Sequence, residues 1–166
     1  MSNLRFIILL LALTFSGAYA SAQTCQISSL QQEVLTQVNA ARSSARYCGN
    51  QFFKSVPLLK WNIRLAAAAT EHSVDMAKHN YFEHDSLNGR PFTDRMARAG
   101  YIWRAAGENI SAGRKTVQTA INSWIKSPGH CANIMSPHFR EVGVACSYHE
   151  SSTYKTYWTM ELGQPR

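Results

Sequence analysis

Four cysteines, Cys25, Cys48, Cys131 and Cys146, all lie beyond a short apolar N-terminal run, and this arrangement constrains the chain more than any other feature. Met1 to Arg5 carries one basic residue, Phe6 to Phe15 is an apolar stretch of ten residues, and Ala20-Ser21-Ala22 offers small residues at cleavage spacing. That order is the pattern of an export signal. Ten residues are too few to span a bilayer, and no later stretch approaches the required twenty. The expectation is therefore a signal peptide over 1–22, one mature domain over 23–166 with no transmembrane segment, and a secreted or periplasmic location. An oxidising compartment turns the cysteines into disulfides. Four cysteines allow three full pairings. The most local, Cys25–Cys48 with Cys131–Cys146, closes two short loops worth roughly 3 kcal/mol each on the chain-entropy model. A four-thiolate zinc site lacks any C-x-x-C pair. The local pairing has one tension. A helix is expected between Cys25 and Cys48, and twenty helical residues span about 30 Å, so the flanking chain must fold back.

The mature length suits one domain with a real core. Loss of Arg5 with the signal leaves a formal charge of +6, from +7 for the whole chain. Such an excess draws polyanions in general. The basic residues are scattered without an aromatic-interleaved patch, so no specific nucleic-acid role is expected.

The first two-thirds read as helices. Leu30, Val34, Val38, Ala41 and Ala45 recur at helical steps and predict a helix over Ser28–Arg46, with Ser28/Gln31 or Ser29/Gln32 as a capping box. Val56-Pro57-Leu58-Leu59 is an extended connector. Leu65, Ala69, His72 and Met76 share one face of a second helix, about Ile63–Asn80, whose Ala66–Ala69 run favours helix and close packing. Asn80–Pro91 is a loop with an Asn88-Gly89 turn. Phe92–Ala99 is a short third helix and Thr116–Lys126 a fourth, ended by Ser127-Pro128-Gly129. The period then changes to two. Residues 142–148 and 154–162 alternate as two strands of an antiparallel hairpin. A lone hairpin is marginal, so further strands or covering helices are required. Helices first and strands last make an α+β domain.

Taken in order, several short motifs resemble the CAP superfamily: the cysteine-rich secretory, antigen 5 and pathogenesis-related 1 proteins, also called the SCP domain. They are Asn39-Ala40-Ala41-Arg42, Trp61 with Leu65–Ala69, His72–Met76, Tyr81-Phe82-Glu83-His84, Gly107-Glu108-Asn109-Ile110, Trp124 through Ser127-Pro128-Gly129-His130 to Asn133-Ile134-Met135, Gly143-Val144-Ala145 and Tyr157-Trp158. Each is weak alone; their order is specific and covers about 30–163. The resemblance implies a three-layer α-β-α sandwich with a small, mainly antiparallel sheet. Its remaining strands would come from around 104–111 or 56–60.

It also implies a cavity lined by two histidines and two acids. His84 and His130 match the histidines, and Glu108 matches one acid. Ser127 stands where eukaryotic relatives carry the other, and a serine cannot replace a carboxylate as charged ligand or base. Two converging imidazoles could hold Zn²⁺ or Cu²⁺, with Glu108 as third ligand, as orienting partner of one histidine, or as a base on bound water. The alternative is a polar network in which Glu108 and Asn109 fasten loops. His72 reads as a buried histidine bonded to backbone or a nearby acid, or else as a cavity wall; His79 and His149 read as solvated, and His138 as a candidate for the cavity mouth. The four tryptophans read as core or half-buried packing, with Trp103 the least constrained. Ser127 beside His130 lacks a strained G-x-S-x-G elbow, which argues against a serine hydrolase. Two functions stay open: a binding module for a lipid, a cell-envelope component or a protein, and a metal-dependent hydrolase with Glu108 as base. A secreted effector is a third possibility that no segment singles out.

Overall fold

A computed structural model describes residues 21–166; the expected signal lies almost wholly outside the described residues. In chain order the elements are β1 (Gln23–Thr24), α1 (Leu30–Arg42), β2 (Arg46–Cys48), β3 (Gln51–Phe53), β4 (Lys60–Trp61), α2 (Ile63–His79), α3 (Phe92–Arg98), β5 (Trp103–Ala112), α4 (Val117–Lys126), α5 (Pro128–Ile134), β6 (Glu141–Tyr148) and β7 (Thr156–Pro165). The main sheet has the order β1-β6-β7-β5, with β4 added in parallel against β6. The other pairings in this sheet are antiparallel. The hairpin read from period-two alternation is β6–β7; β5 and β4 lie at or beside the two stretches the resemblance had indicated, and β1 is a further strand that the sequence did not announce.

The α+β sandwich follows from the alternation of β6 and β7. Val142, Val144, Cys146, Trp158, Met160 and Leu162 point to one face and pack with α1 and α4 through Val34, Val38, Val117, Ile121 and Trp124. The opposite face meets α2. There Gly143 is obligatory, because a Cβ at that position would lie 2.0 Å from the Ala66 backbone nitrogen. The Ala66–Ala69 run and Gly143 together let the helix backbone lie directly on the sheet. Trp124 and Trp158 are buried, and Trp61 and Trp103 are half-buried.

Three local expectations change. Helix α1 is shorter than predicted, and Arg46–Cys48 leaves it to form a small hairpin with Gln51–Phe53. Ser29 precedes α1 without a side-chain capping bond, whereas a capping box forms at Thr116–Thr119 before α4. Ser127-Pro128-Gly129 ends α4 and at once begins α5, with Pro128 in the first turn, where a missing N–H costs nothing.

The local disulfide pairing is overturned. The bridges are Cys25–Cys146 and Cys48–Cys131, with Cα–Cα distances of 5.3 and 5.4 Å. Helix α1, 13 residues and so about 20 Å long, holds Cys25 and Cys48 at its opposite ends. Pairing of β1 with β6 sets Cys25 against Cys146, whose carbonyl accepts the Cys25 N–H at 2.8 Å. Cys48, in β2, meets Cys131 on α5.

Candidate functional site

Strand β5 lies at one end of the sheet order, so material from both helical layers can close around its edge. The loop after α2 brings His84 from one layer, α5 brings His130 from the other, and Glu108 sits between them on β5.

Glu108 is the hub. Its side chain is only 1% exposed, and both oxygens are occupied. His84 donates from Nδ1 to Oε1 at 2.7 Å, and the buried Arg95 guanidinium donates to Oε2 at 2.7 Å. Arg95 also donates to the His84 carbonyl at 2.8 Å and to Ser86 Oγ at 3.1 Å, which ties α3 to the His84 loop. Burial pushes the Glu108 carboxyl up, but the His84 hydrogen bond and the charges of His72 and Arg95 outweigh it and hold Glu108 below its ordinary range. The Glu108 bond raises the His84 pKa. Burial, helped by the His84 charge, lowers that of His130.

Directly across the strand pair from Glu108 stands Glu161, fully buried. Among the described residues no N–H or O–H donor reaches either of its oxygens. Burial, the Glu108 charge and a hydrogen bond to Glu108 push its carboxyl well above the usual range. Protonated, Glu161 is the donor and Glu108 the acceptor. The centre therefore holds one buried carboxylate and one buried carboxylic acid beside one buried guanidinium. Like charges on neighbouring buried carboxyls cannot both persist.

His72 is fully buried, its pKa lowered by burial, and it donates from Nε2 to the Glu83 carbonyl at 2.9 Å. It fastens the loop that carries His84, as a buried backbone-bonded histidine should. Asn109 fastens the other layer: Nδ2 donates to the His130 carbonyl at 3.0 Å and Oδ1 accepts from Asn133 at 2.9 Å. His79 is bonded to Asp75, and the exposed His138 lies away from this site, at the start of β6.

The rings of His84 and His130 have centroids 6.5 Å apart and planes tilted by 46°. They line separate depressions. His130 shares one of about 270 Å³ with Ser127, Ser123, Phe82 and Tyr154, whereas His84 lines another of about 350 Å³ with Tyr81 and Leu87. Among the described residues no three His, Cys, Asp or Glu side chains converge as a metal-ligand set.

Sequence reasoning missed Arg95 and Glu161. Arg95 had a signal: Phe92, Arg95, Met96 and Ala99 stand at helical spacing on one inward stripe. Glu161 had a weaker one, since it alternates with an apolar face and only the burial of both faces of β7 shows that it is enclosed.

The profile of the cysteine-rich secretory protein family, CAP, matches residues 35–162. The chain belongs to the CAP family. The CAP domain is 33% identical over 137 residues to the uncharacterized protein YkwD of Bacillus subtilis, covering 82% of this chain and 48% of that protein. An extracellular SCP-domain protein of Bacillus anthracis shares 30% identity with a TM-score of 0.66, covering 82% of this chain and 40% of that one. An outer surface protein of Borrelia burgdorferi shares the fold, with a TM-score of 0.71 at 13% identity over 87% of this chain and 99% of that one. The chain thus spans about half the length, or less, of the two Bacillus proteins. No helix among the described residues is long and apolar enough to cross a membrane.

Proposed function

We propose that this chain is a secreted or periplasmic CAP binding module whose His84–His130 pair takes a divalent ion of the zinc or copper kind, without hydrolytic catalysis. The observation that carries the reading is the double commitment of Glu108 to His84 and Arg95. A carboxylate closed off on both oxygens is a poor base toward water. It is a good orienting partner: with Nδ1–H bound to Glu108, His84 keeps the Nε2 lone pair for a metal. Two imidazoles on one tetrahedral zinc hold their ring centres about 5 Å apart, given Zn–N distances of about 2.0–2.1 Å. The observed 6.5 Å is wider, so ion binding would draw the two rings together, and the half-exposed edge of His84 is open to solvent for its approach. A bound ion would supply a Lewis-acid position bridging the two helical layers, with solvent or a partner group completing its coordination. The partner is of the lipid, cell-envelope or protein class, in keeping with the extracellular description of the Bacillus anthracis relative.

The test is calorimetric titration of Zn²⁺ and Cu²⁺ into residues 23–166, with metal analysis of the purified domain. Stoichiometric binding that disappears in His84→Ala/His130→Ala and survives in Glu108→Gln supports the reading. Binding that the double variant does not reduce would leave the histidines as parts of a structural network. Metal-dependent hydrolysis lost in Glu108→Gln would replace the reading with the hydrolase.

A further inference from the structure

The sheet has a second polar feature, at the end where β4, β5 and β6 begin and β7 finishes. Register places Lys60 beside Glu141, Glu141 beside Gly163 and Gly163 beside Ala106 in one row across the strands, and one step nearer the end Ala105 pairs with Gln164. The pairing of β5 with β7 slips between Trp103 and Ala105, leaving Arg104 at the irregularity. Bulges of this kind re-aim a side chain. A pocket of about 460 Å³ opens here, lined by Arg104, Ala105, Pro137, His138, Arg140 and Gln164.

The lining contains three basic side chains and no carboxylate. Arg104, His138 and Arg140 are exposed, and among the described residues none of them is in an ion pair. The nearest acid in sequence, Glu141, is occupied elsewhere: its Oε2 accepts from Tyr101 at 2.8 Å and from Asn62 at 3.1 Å. Among the described residues Arg140 uses only Nη1 on protein acceptors, the Pro137 and Phe139 carbonyls, which leaves Nε and Nη2 for another group.

Behind this loop lies Arg42, fully buried. Its guanidinium donates to the carbonyls of Pro57, Ile134, Ser136 and Phe139 and, among the described residues, to no carboxylate. Those bonds pin the segment that presents His138 and Arg140. They also leave a buried positive charge balanced only by dipoles. Burial, then repulsion by the Arg140 charge, lowers the Arg42 pKa to about 10. An anion at the pocket would relieve that repulsion.

We propose that this pocket is an oxyanion site, in which Arg104, His138 and Arg140 take a phosphate-class group. Guanidinium forks match the geometry of phosphate oxygens, and the Gln164 amide can add a neutral donor. The pocket is larger than a phosphate alone, so it has room for part of the molecule that carries one. The site shares no residue with the His84–His130 pair and does not depend on its metal.

The experiment titrates inorganic phosphate into ¹⁵N-labelled residues 23–166 at constant ionic strength, with chloride as the control anion. Saturable shifts are expected at Ala105, His138, Arg140 and Gln164, unchanged in His84→Ala/His130→Ala. Arg104→Gln/Arg140→Gln should weaken binding at least about tenfold, the scale of a lost charged hydrogen bond. Arg104→Gln alone guards against misfolding, because among the described residues the Arg104 side chain has no hydrogen bond to lose. A second arm uses phosphatidylglycerol and phosphatidylcholine vesicles. Tighter, Arg104-dependent binding to phosphatidylglycerol identifies a lipid headgroup as the source; binding of phosphate without vesicle binding identifies a soluble phosphorylated ligand. Absence of saturable shifts at these residues, or an unchanged affinity in Arg104→Gln, would overturn the proposal.

Discussion

Replacing Glu161 by glutamine should stabilise this protein, and by an amount that grows with pH. In the unfolded chain Glu161 titrates near its ordinary value of 4.5, whereas in the fold burial and Glu108 push it well above that. Above pH 4.5 the folded state therefore holds a proton that the unfolded chain has released. Stability contributed by a raised carboxyl is fully present below 4.5 and is lost as pH rises toward the folded value. While the difference is one proton, the slope is about 1.4 kcal/mol per pH unit. As pH rises above about 5 the natural domain should lose stability through this group at up to that slope, until the folded carboxyl itself ionises. A glutamine side chain keeps the shape, cannot ionise, and presents an N–H where the protonated acid presented its O–H. The Glu108 contribution runs the other way, being lost only as pH falls below its ordinary value, so it stays level over this window. Urea denaturation of both proteins at about pH 5, 6 and 7 gives the difference directly. An advantage of Glu161→Gln that widens from pH 5 to 6 to 7 is the expected result. Parallel stability curves would mean that Glu161 is ionised in the fold, and the account of the buried carboxyl pair would fail.

Two further outcomes follow from the packing. Gly143→Ala should cost about 3 kcal/mol or prevent folding, because the new methyl would meet the α2 backbone, which has no rotamer by which to yield; thermal denaturation and expression yield report it. Peptide mapping of the non-reduced protein should recover Cys25–Cys146 and Cys48–Cys131, and Cys48→Ser/Cys131→Ser should lose about 4.5 kcal/mol, the chain-entropy value for a loop closed across 83 residues.

Local chemistry carried the sequence reading where the signal was local. Helical spacing marked α1 through α4 to within a few residues, and period-two alternation marked β6 and β7. It failed where one signal admitted two meanings. Ser127-Pro128-Gly129 is as good a helix start as a helix stop, and α5 was lost on that ambiguity. Strand β4 is two residues long and owes its existence to the partner it adds to, so no periodicity could announce it. In the site, His84, Glu108 and His130 came from the CAP resemblance, while Arg95 and Glu161 came only from the fold.

The residue sequence by itself determined the class of the molecule: apolar stripes of helical period followed by strands, and a motif order belonging to CAP proteins. These are properties of neighbouring residues, and neighbouring residues carry them. Tertiary structure alone decided which cysteines pair, because α1 separates Cys25 from Cys48, its nearest candidate partner along the chain. It also decided that Glu108 faces Glu161 and Arg95 in one buried centre. That arrangement depends on strand register and on the packing of α3 over a distant edge strand, and both are settled only when the chain folds.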